Sequence, residues 1–247
     1  MNNGRAYTTT FHSMKIRSAE AGMSSDGHKS LKQAQGEETR ATLIETGARL
    51  FGQHGYSAVS MRTLAAEAGV NLATVSYHFG GKAGLYEAIV QTIIDIRDEI
   101  FPPEAEVRAR LERAADSEAR GEVVDWFIDS LVHELISRKN VVWGTVIISR
   151  ELAHPTEIYA KLEKVFFDPT LNSLCALVSG VASVPPDREE MVITAHCVIG
   201  LIIKLLEGQR LISKRLGWES YEGHETTLNN TVKKRIRGLL GLPMENA

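Results

Sequence analysis

Hydroxyl, amide and imidazole side chains are concentrated between residues 59 and 81, in two short segments of helical character. The interval from Ala68 to Tyr86 contains no carboxylate, whereas it does contain Lys82. Free N–H groups at the start of a helix bind phosphate oxygens, and nearby hydroxyl or imidazole groups add hydrogen bonds. The composition of this interval therefore favours an anionic, phosphate-bearing partner.

The same interval predicts two capped helices joined by a glycine turn. Ser60 is a preferred N-cap residue, and Val59 before it can pack on Leu64 at the fourth helical position. The arrangement recurs with Asn71 as the second N-cap, and Gly69 supplies the turn between the helices. Two short helices joined by a turn of this kind form a helix-turn-helix.

The second of these helices is predicted to expose a surface for reading DNA. Val75 and Phe79, four residues apart, are expected to anchor it to the core. The small residues Ala73 and Thr74 allow close approach to the major groove, where a methyl group can touch thymine. Arg62, on the preceding helix, can reach a phosphate or a guanine edge. The alternative is a small helical packing unit with no such partner.

Several short motifs occur between residues 40 and 90: Ala48-Arg49-Leu50-Phe51, His54-Gly55-Tyr56, Met61-Arg62-Thr63-Leu64-Ala65, Glu67-Ala68-Gly69-Val70, Thr74, Tyr77-His78-Phe79, Lys82 and Leu85-Tyr86. With these motifs the stretch resembles the DNA-binding domain of the TetR/AcrR family of repressors, although the usual Leu-Tyr in mid recognition helix is Val75-Ser76 here. The resemblance implies contacts to double-stranded DNA by Ser60, Arg62, Leu72, Ala73, Thr74, Tyr77, His78 and Lys82. Thr63, three residues after the first N-cap, and Asn71, the second N-cap, complete the predicted DNA-binding residues.

Two later stretches, Ile148-Ser149-Arg150-Glu151 and Arg215-Leu216-Gly217-Trp218, resemble the CecR-like branch of the same family. In the family the C-terminal domain dimerises and holds a small ligand whose binding releases DNA. The resemblance thus implies a sequence-specific transcriptional regulator, in particular a ligand-responsive repressor.

The rest of the chain predicts an all-α fold, because no segment shows sustained strand alternation. We expect an N-terminal three-helix helix-turn-helix domain followed by a C-terminal helical bundle. Breakers at Pro102-Pro103, Gly121, Pro155, Gly180 with Pro185-Pro186, and Gly217 are expected to divide the bundle. The predicted parts are a disordered N-terminal arm (1–36), the helix-turn-helix domain (37–82), a connecting helix (83–101) and the ligand-binding and dimerisation domain (102–247). A functional alternative for the arm is DNA contact through Arg5, Lys15, Arg17, Lys29 and Lys32.

An apolar stripe near the C-terminus predicts helix pairing. Its members recur at spacings of four and three, which suits left-handed packing of two helices: Met191, Ala195, Val198, Ile202 and Leu205. Such a stripe can equally pack inside one chain. With the resemblance in view, we expect a homodimer formed by this helix and the one around 170–179. Twofold symmetry would then require a palindromic operator.

A ligand pocket is predicted in the C-terminal domain from large apolar residues with a few polar ones among them. The candidates are Trp126, Phe127, Trp143, Phe166, Arg150 and Glu151. The expected inducer is a small amphipathic molecule. Plain core packing is the alternative for the aromatic residues, and an internal ion pair for Arg150 with Glu151.

Other classes of function find little support in the sequence. His133-Glu134 begins a zincin-like HExxH motif, but Ser137 occupies the place of the second histidine. The glycine of a P-loop is missing before Lys82, and neither GxGxxG nor GxSxG occurs. We therefore expect no enzyme, no cofactor and no metal. A ligand-binding helical protein that does not use its helix-turn-helix on DNA remains the alternative.

Charge and hydropathy set the remaining expectations. The formal net charge of −3 does not exclude DNA binding, because the local field at the binding surface matters more than the total. The uncharged run 191–203 is shorter than the ~18 residues of a membrane-spanning helix. The two cysteines, Cys175 and Cys197, form no CxxC pair and are expected to be free thiols. We expect a cytoplasmic protein with no membrane partner.

Overall fold

The computed structural model describes residues 27–137, 141–182 and 186–243, and all regular elements in these ranges are helices. This confirms the predicted all-α fold. The helices are α1 (Gly27–His54), α2 (Met61–Glu67), α3 (Leu72–Phe79), α4 (Lys82–Asp95), α5 (Arg97–Ile100), α6 (Glu104–Arg113), α7 (Ser117–Ser137), α8 (Val141–Ala153), α9 (Tyr159–Leu162), α10 (Asp168–Val181), α11 (Arg188–Glu207), α12 (Gln209–Leu216) and α13 (Glu225–Leu239). A π-helical segment, Glu163–Phe167, joins α9 to α10.

The chain is divided into two compact units. Unit 1 contains the described residues up to Thr92 together with Val146–Ala153, and unit 2 contains Ile93–Thr145 and the described residues from His154 onward. The last part of α8 therefore belongs to unit 1, a contribution from a distant part of the chain that the sequence did not predict.

Helix α1 begins earlier than predicted. Disorder through residue 36 is wrong for residues 27–36, which are helical, while the earlier part of the predicted arm lies outside the described residues. Gln33, Ala34 and Gln35 are exposed, so no apolar face marks this part of the helix. They are nevertheless good helix formers, and the Thr39 hydroxyl donates to the Gln35 carbonyl oxygen at 2.8 Å.

Unit 1 is organised by close packing of α1 against α4. A Cβ at Gly47 would lie 2.8 Å from Ile89 Cδ1, so the glycine permits the approach of the two helices. The fully buried Leu43, Leu64 and Leu85 bring α1, α2 and α4 into one apolar core. This core supplies the rigid support for the two short helices.

The predicted connecting helix at 83–101 is interrupted. Helix α4 ends at Asp95, and the short α5 covers Arg97–Ile100, with Ile96 as the N-cap between them. The β-branched residues Thr92, Ile93 and Ile94 precede the break, and such residues lose side-chain freedom in a helix.

Unit 2 has its own core, and this core contains the apolar stripe that was predicted to form a dimer interface. Ala195, Val198 and Ile202 are at most 2% exposed, and Met191 and Leu205 pack partly buried against the same cluster. The prediction of a dimer interface at the three buried residues is wrong, because their side chains are already covered within the protomer. An apolar stripe shows that a helix face is buried but not which partner buries it.

One predicted helix breaker lies inside a helix, since Gly121 is in α7. Helix α10 ends at Val181, directly after Gly180, whereas Pro185 lies outside the described residues. A Cβ at Gly121 would lie 2.8 Å from the Arg237 guanidinium carbon, and this guanidinium is bound by both carboxylate oxygens of Asp125 at 3.0 and 2.9 Å. Gly121 therefore makes room for a buried ion pair instead of ending a helix.

No single helix of the described residues is long and apolar enough to cross a membrane. Helices α11 and α12 meet the criteria of length and composition only when joined across their 67° bend. The face of α11 that carries Ala195 and Val198 lies in the core of unit 2.

Candidate nucleic-acid interface

Helices α2 and α3 are capped as their sequences predict. The Ser60 Oγ accepts a hydrogen bond from the Thr63 amide at 3.0 Å, and the Asn71 Oδ1 accepts one from the Thr74 amide at 2.8 Å. Between the helices, Gly69 has φ +68°, a left-handed conformation that favours glycine. The predicted helix-turn-helix is confirmed.

Helix α3 is fixed to unit 1 by one fully buried residue. Val75 is 0% exposed and provides the anchor that was predicted. Phe79, the second predicted anchor, is only half-buried, and the Arg40 guanidinium lies 5.3 Å from the centre of its ring. The helix ends at Gly80, which has a left-handed conformation.

The rest of α3 is open to solvent. Tyr77 is 85% exposed and Leu72 is 43% exposed, so this face presents an aromatic and an aliphatic side chain to solvent. The predicted residues that this face and its first turn bring together are Asn71, Leu72, Ala73, Thr74, Tyr77 and His78. Of these, Thr74 and His78 are half-buried.

The start of α2 adds a second set of exposed polar groups. Ser60, Arg62 and Thr63 are exposed, and the hydroxyls of Ser60 and Thr63 lie 2.8 Å apart. The carboxylate of Glu67, at the end of this helix, is paired with Arg49 at 2.8 Å. The negative charge on α2 is thereby partly neutralised, which favours an anionic partner.

Lys82 is held against the turn that precedes α2. Its ammonium donates to the Ser57 carbonyl oxygen at 3.4 Å and lies 4.6 Å from the centre of the Tyr56 ring. Partial burial lowers the pKa of this ammonium. Lys82 thus presents its charge from a fixed place on unit 1 instead of from a freely moving side chain.

Sequence reasoning missed the roles of Arg40 and Tyr56. Tyr56 stands in the motif His54-Gly55-Tyr56, which contributed only to the family resemblance. Its ring lies 4.8 Å from that of Tyr86 and 5.8 Å from that of Phe51. These three rings form an aromatic cluster behind Lys82.

The structure places Arg150 and Glu151 in unit 1. The Arg150 guanidinium donates to the carbonyl oxygens of Gly52 at 2.9 Å and Gln53 at 3.0 Å. Glu151 is 1% exposed and accepts a hydrogen bond from the Tyr86 hydroxyl at 2.6 Å. Both side chains make hydrogen bonds within unit 1, and their predicted part in ligand binding stays a prediction.

Three of the aromatic candidates of unit 2 make ring or core contacts. Phe127 is fully buried in the core, and the Arg110 guanidinium lies 3.9 Å from the centre of the Trp126 ring. Phe166 packs edge to face on Phe101, and Trp143 is half-buried. A small cavity of about 10 Å³ is lined by Tyr221 and by apolar side chains from α7, α11 and α13. These apolar residues are Val132, Leu135, Ile202, Leu205, Leu206, Leu228 and Val232.

The all-helical fold and the capped helix-turn-helix, with its exposed aromatic residue, define a class of DNA-binding regulators. Residues 43–89 match the family model of bacterial regulatory proteins of the tetR family, and residues 122–241 match the C-terminal domain of the HTH-type transcriptional dual regulator CecR. The chain belongs to the TetR family of DNA-binding transcriptional regulators, with a CecR-type C-terminal domain.

Relatives and solved structures agree with this assignment. The chain is 31% identical over 205 residues to the transcriptional dual regulator CecR of Shigella flexneri, and the aligned residues cover 82% of this chain and 91% of that protein. It is 46% identical over 52 residues to the probable regulator YttP of Bacillus subtilis (21% of this chain, 25% of that protein). Its fold is similar to that of HlyIIR, a hemolysin II transcriptional regulator (TM-score 0.53, 14% identity, 85% of this chain and 99% of that chain). It is also similar to that of Mycobacterium smegmatis AmtR (TM-score 0.51, 18% identity, 81% and 85%).

Proposed function

We propose that this regulator is a homodimeric repressor that binds a palindromic operator and leaves it when a small amphipathic ligand occupies unit 2. The exposed face of α3, with Tyr77 at its centre, is the observation that carries the proposal. Twofold symmetry would place two such helices about one DNA turn or more apart, which accounts for a palindrome.

We place the dimer surface on the outer face of α11, because the predicted stripe on the inner face is covered within the protomer. Ile193 is 63% exposed and Val192 is 37% exposed, and Gly200 on the same helix is open to solvent. A second copy of the chain would cover this apolar surface. Ile193→Lys should give a monomer in sedimentation velocity, whereas Glu112→Lys, an exposed control on α6, should leave the dimer intact.

We place the ligand between α7, α11 and α13, around the small apolar cavity. A volume of about 10 Å³ has room for a single water-sized molecule, so a ligand would have to open the bundle. The Tyr221 hydroxyl, which donates to the Leu205 carbonyl oxygen at 2.8 Å, offers a polar group at the cavity wall. The contributions of Trp126, Trp143, Phe127 and Phe166 stay predictions.

The proposed response is a change in the spacing of the two recognition helices. A ligand in unit 2 would shift α4, and α4 follows directly on the helix-turn-helix. Such a ligand releases DNA only if it binds the two states with different affinities. A ligand that binds unit 2 and leaves the affinity for DNA unchanged would contradict this mechanism.

A binding selection on genomic fragments with the purified protein tests the proposal. We expect one palindromic sequence to be enriched, and a gel shift with Tyr77→Ala to show that the variant no longer binds it. Tyr159→Ala, which changes a tyrosine of unit 2, is the matched control. Enrichment of a site without twofold symmetry would contradict binding as a symmetric dimer. Activation of transcription from the enriched site would contradict the proposed repression and would favour the dual action that the name of CecR describes.

A further inference from the structure

The last turn of α8 supplies the C-terminal cap of α1. The final carbonyl groups of a helix lack partners within the helix. At the end of α1, the Phe51 oxygen accepts from the Gly55 amide at 2.8 Å, and the next two carbonyls, of Gly52 and Gln53, accept from Arg150. A positive charge at this end also interacts favourably with the helix dipole. Arg150 thus satisfies backbone groups that are nearly one hundred residues earlier in the chain.

The same turn of α8 reaches the aromatic cluster through Glu151. The carboxylate is buried and accepts from the Tyr86 hydroxyl, whose ring packs edge to face on Phe51 with centroids 5.2 Å apart. Burial, followed by the hydrogen bond to Glu151, raises the pKa of Tyr86, so the phenol keeps its proton and remains a donor. The Tyr86 ring in turn supports Tyr56.

These interactions surround the segment 55–59, which joins α1 to α2. Gly55, with φ +84°, would place a Cβ 3.2 Å from the Arg150 guanidinium, so the turn passes directly beside this group. On the same segment, the Tyr56 ring and the Ser57 carbonyl oxygen contact the Lys82 ammonium. Ser60, the N-cap of α2, follows immediately. The position of the first DNA-facing residues therefore depends on how the segment is held.

We propose that Arg150 and Glu151 are positioning residues for DNA binding: they fix the end of α1 and the segment 55–59, and through that segment they place the uncharged groups at the start of α2, the Ser60 hydroxyl and the free N–H groups that follow it. The inference rests on the proposed reading of an operator by the helix-turn-helix, and it adds to it a part of α8 that does not touch DNA. Because α8 begins among residues of unit 2, withdrawal of its last turn would weaken DNA binding without changing any residue of the helix-turn-helix.

The test compares Arg150→Gln with Arg108→Gln, a control at an exposed ion pair of α6. Affinity for the enriched fragment is titrated at several salt concentrations, and folding is followed by circular dichroism. Loss of these two hydrogen bonds lowers the fraction of molecules in which the segment is held in its binding-competent place, and affinity falls in proportion to that fraction. We expect a decrease in affinity of about tenfold or more for Arg150→Gln at a temperature where the variant is folded. The control should bind as the wild type does, and Arg150→Lys should recover part of the loss.

The salt dependence separates positioning from direct binding of DNA. Removing a side chain that binds one phosphate lowers the slope of log K against log salt by about 0.9. We expect Arg150→Gln to keep the wild-type slope. A decreased slope, unchanged affinity, or a weakening that only follows the unfolded fraction would each overturn the proposal.

A second variant keeps the proposal testable if Arg150→Gln does not fold. Tyr86→Phe removes only the hydroxyl that donates to Glu151, and we expect a folded protein with several-fold weaker binding and an unchanged slope. Wild-type affinity in Tyr86→Phe would overturn the role of Glu151. Failure of the wild type itself to prefer the enriched fragment over a scrambled one would instead count against the proposed function.

Discussion

Asn71 offers a way to separate the folding of the recognition helix from its binding to DNA. Its Oδ1 accepts from the amide and from the hydroxyl of Thr74, at 2.8 and 3.0 Å, at the start of a helix of only eight residues. Asn71→Ala removes this acceptor, and loss of an N-cap costs about 1 kcal/mol, with a range of about 0.5–2. Asn71→Asp keeps an acceptor oxygen at the same place and adds a negative charge.

The two variants should therefore separate stability from DNA binding. We expect Asn71→Ala to lower the free energy of unfolding by about 1 kcal/mol, measured by urea denaturation. Asn71→Asp should be as stable as the wild type or more so, because a carboxylate suits a helix N-terminus. It should nevertheless bind the operator at least about tenfold more weakly in fluorescence anisotropy, since the new charge faces phosphates. Wild-type affinity in Asn71→Asp would refute the placement of this helix end against DNA.

Three further predictions concern the support of the two units. Val75→Ala removes two carbon atoms from a fully buried side chain, which costs about 0.8 kcal/mol for each methylene plus a cavity term. Urea denaturation should therefore show a free energy of unfolding lower by about 2 kcal/mol. A decrease below about 0.5 kcal/mol would contradict the anchoring of α3 by Val75. Gly121→Ala should destabilise unit 2 by about 3 kcal/mol, because the new methyl group disturbs the buried Arg237 pair, whereas a gain of about 0.5–1 kcal/mol would show that only helix propensity matters there. Burial raises the pKa of Tyr86 and Tyr221 above their ordinary value of 10.0, so the folded state holds these protons more tightly; denaturation midpoints should be constant below about pH 10 and fall above it, and an unchanged midpoint up to pH 11 would contradict this.

The features that the sequence predicted well are local. Ser60 and Asn71 cap helices that begin at the next residue, and Gly69 supplies the turn between them in a left-handed conformation. A cap depends on residue type and on the next three residues, so no tertiary information is needed. The exposure of Tyr77 follows in the same way, once Val75 is assigned to the buried face.

The features that the sequence did not predict depend on distant parts of the chain. The hydrogen bonds of Arg150 to the end of α1 join residues separated by 97 and 98 positions, and no periodicity reports such an interaction. Gly121 was predicted to break a helix, because a glycine in the sequence does not show what packs against it. The group that requires a glycine there, the Arg237 guanidinium, comes more than one hundred residues later in the chain. The stripe containing Val198 had the correct spacing but could not identify its own partner.

The most direct test of the account is the specificity of the recognition helix. The dissociation constant for the enriched fragment is compared with that for a scrambled fragment of the same composition, in wild type and in Tyr77→Ala, at one physiological salt concentration. Sequence-specific reading predicts that the wild type binds the enriched fragment at least about 10³-fold more tightly, and that Tyr77→Ala loses most of this ratio while remaining folded. Equal affinity of the wild type for both fragments, or an unchanged ratio in Tyr77→Ala, would contradict the role assigned to α3.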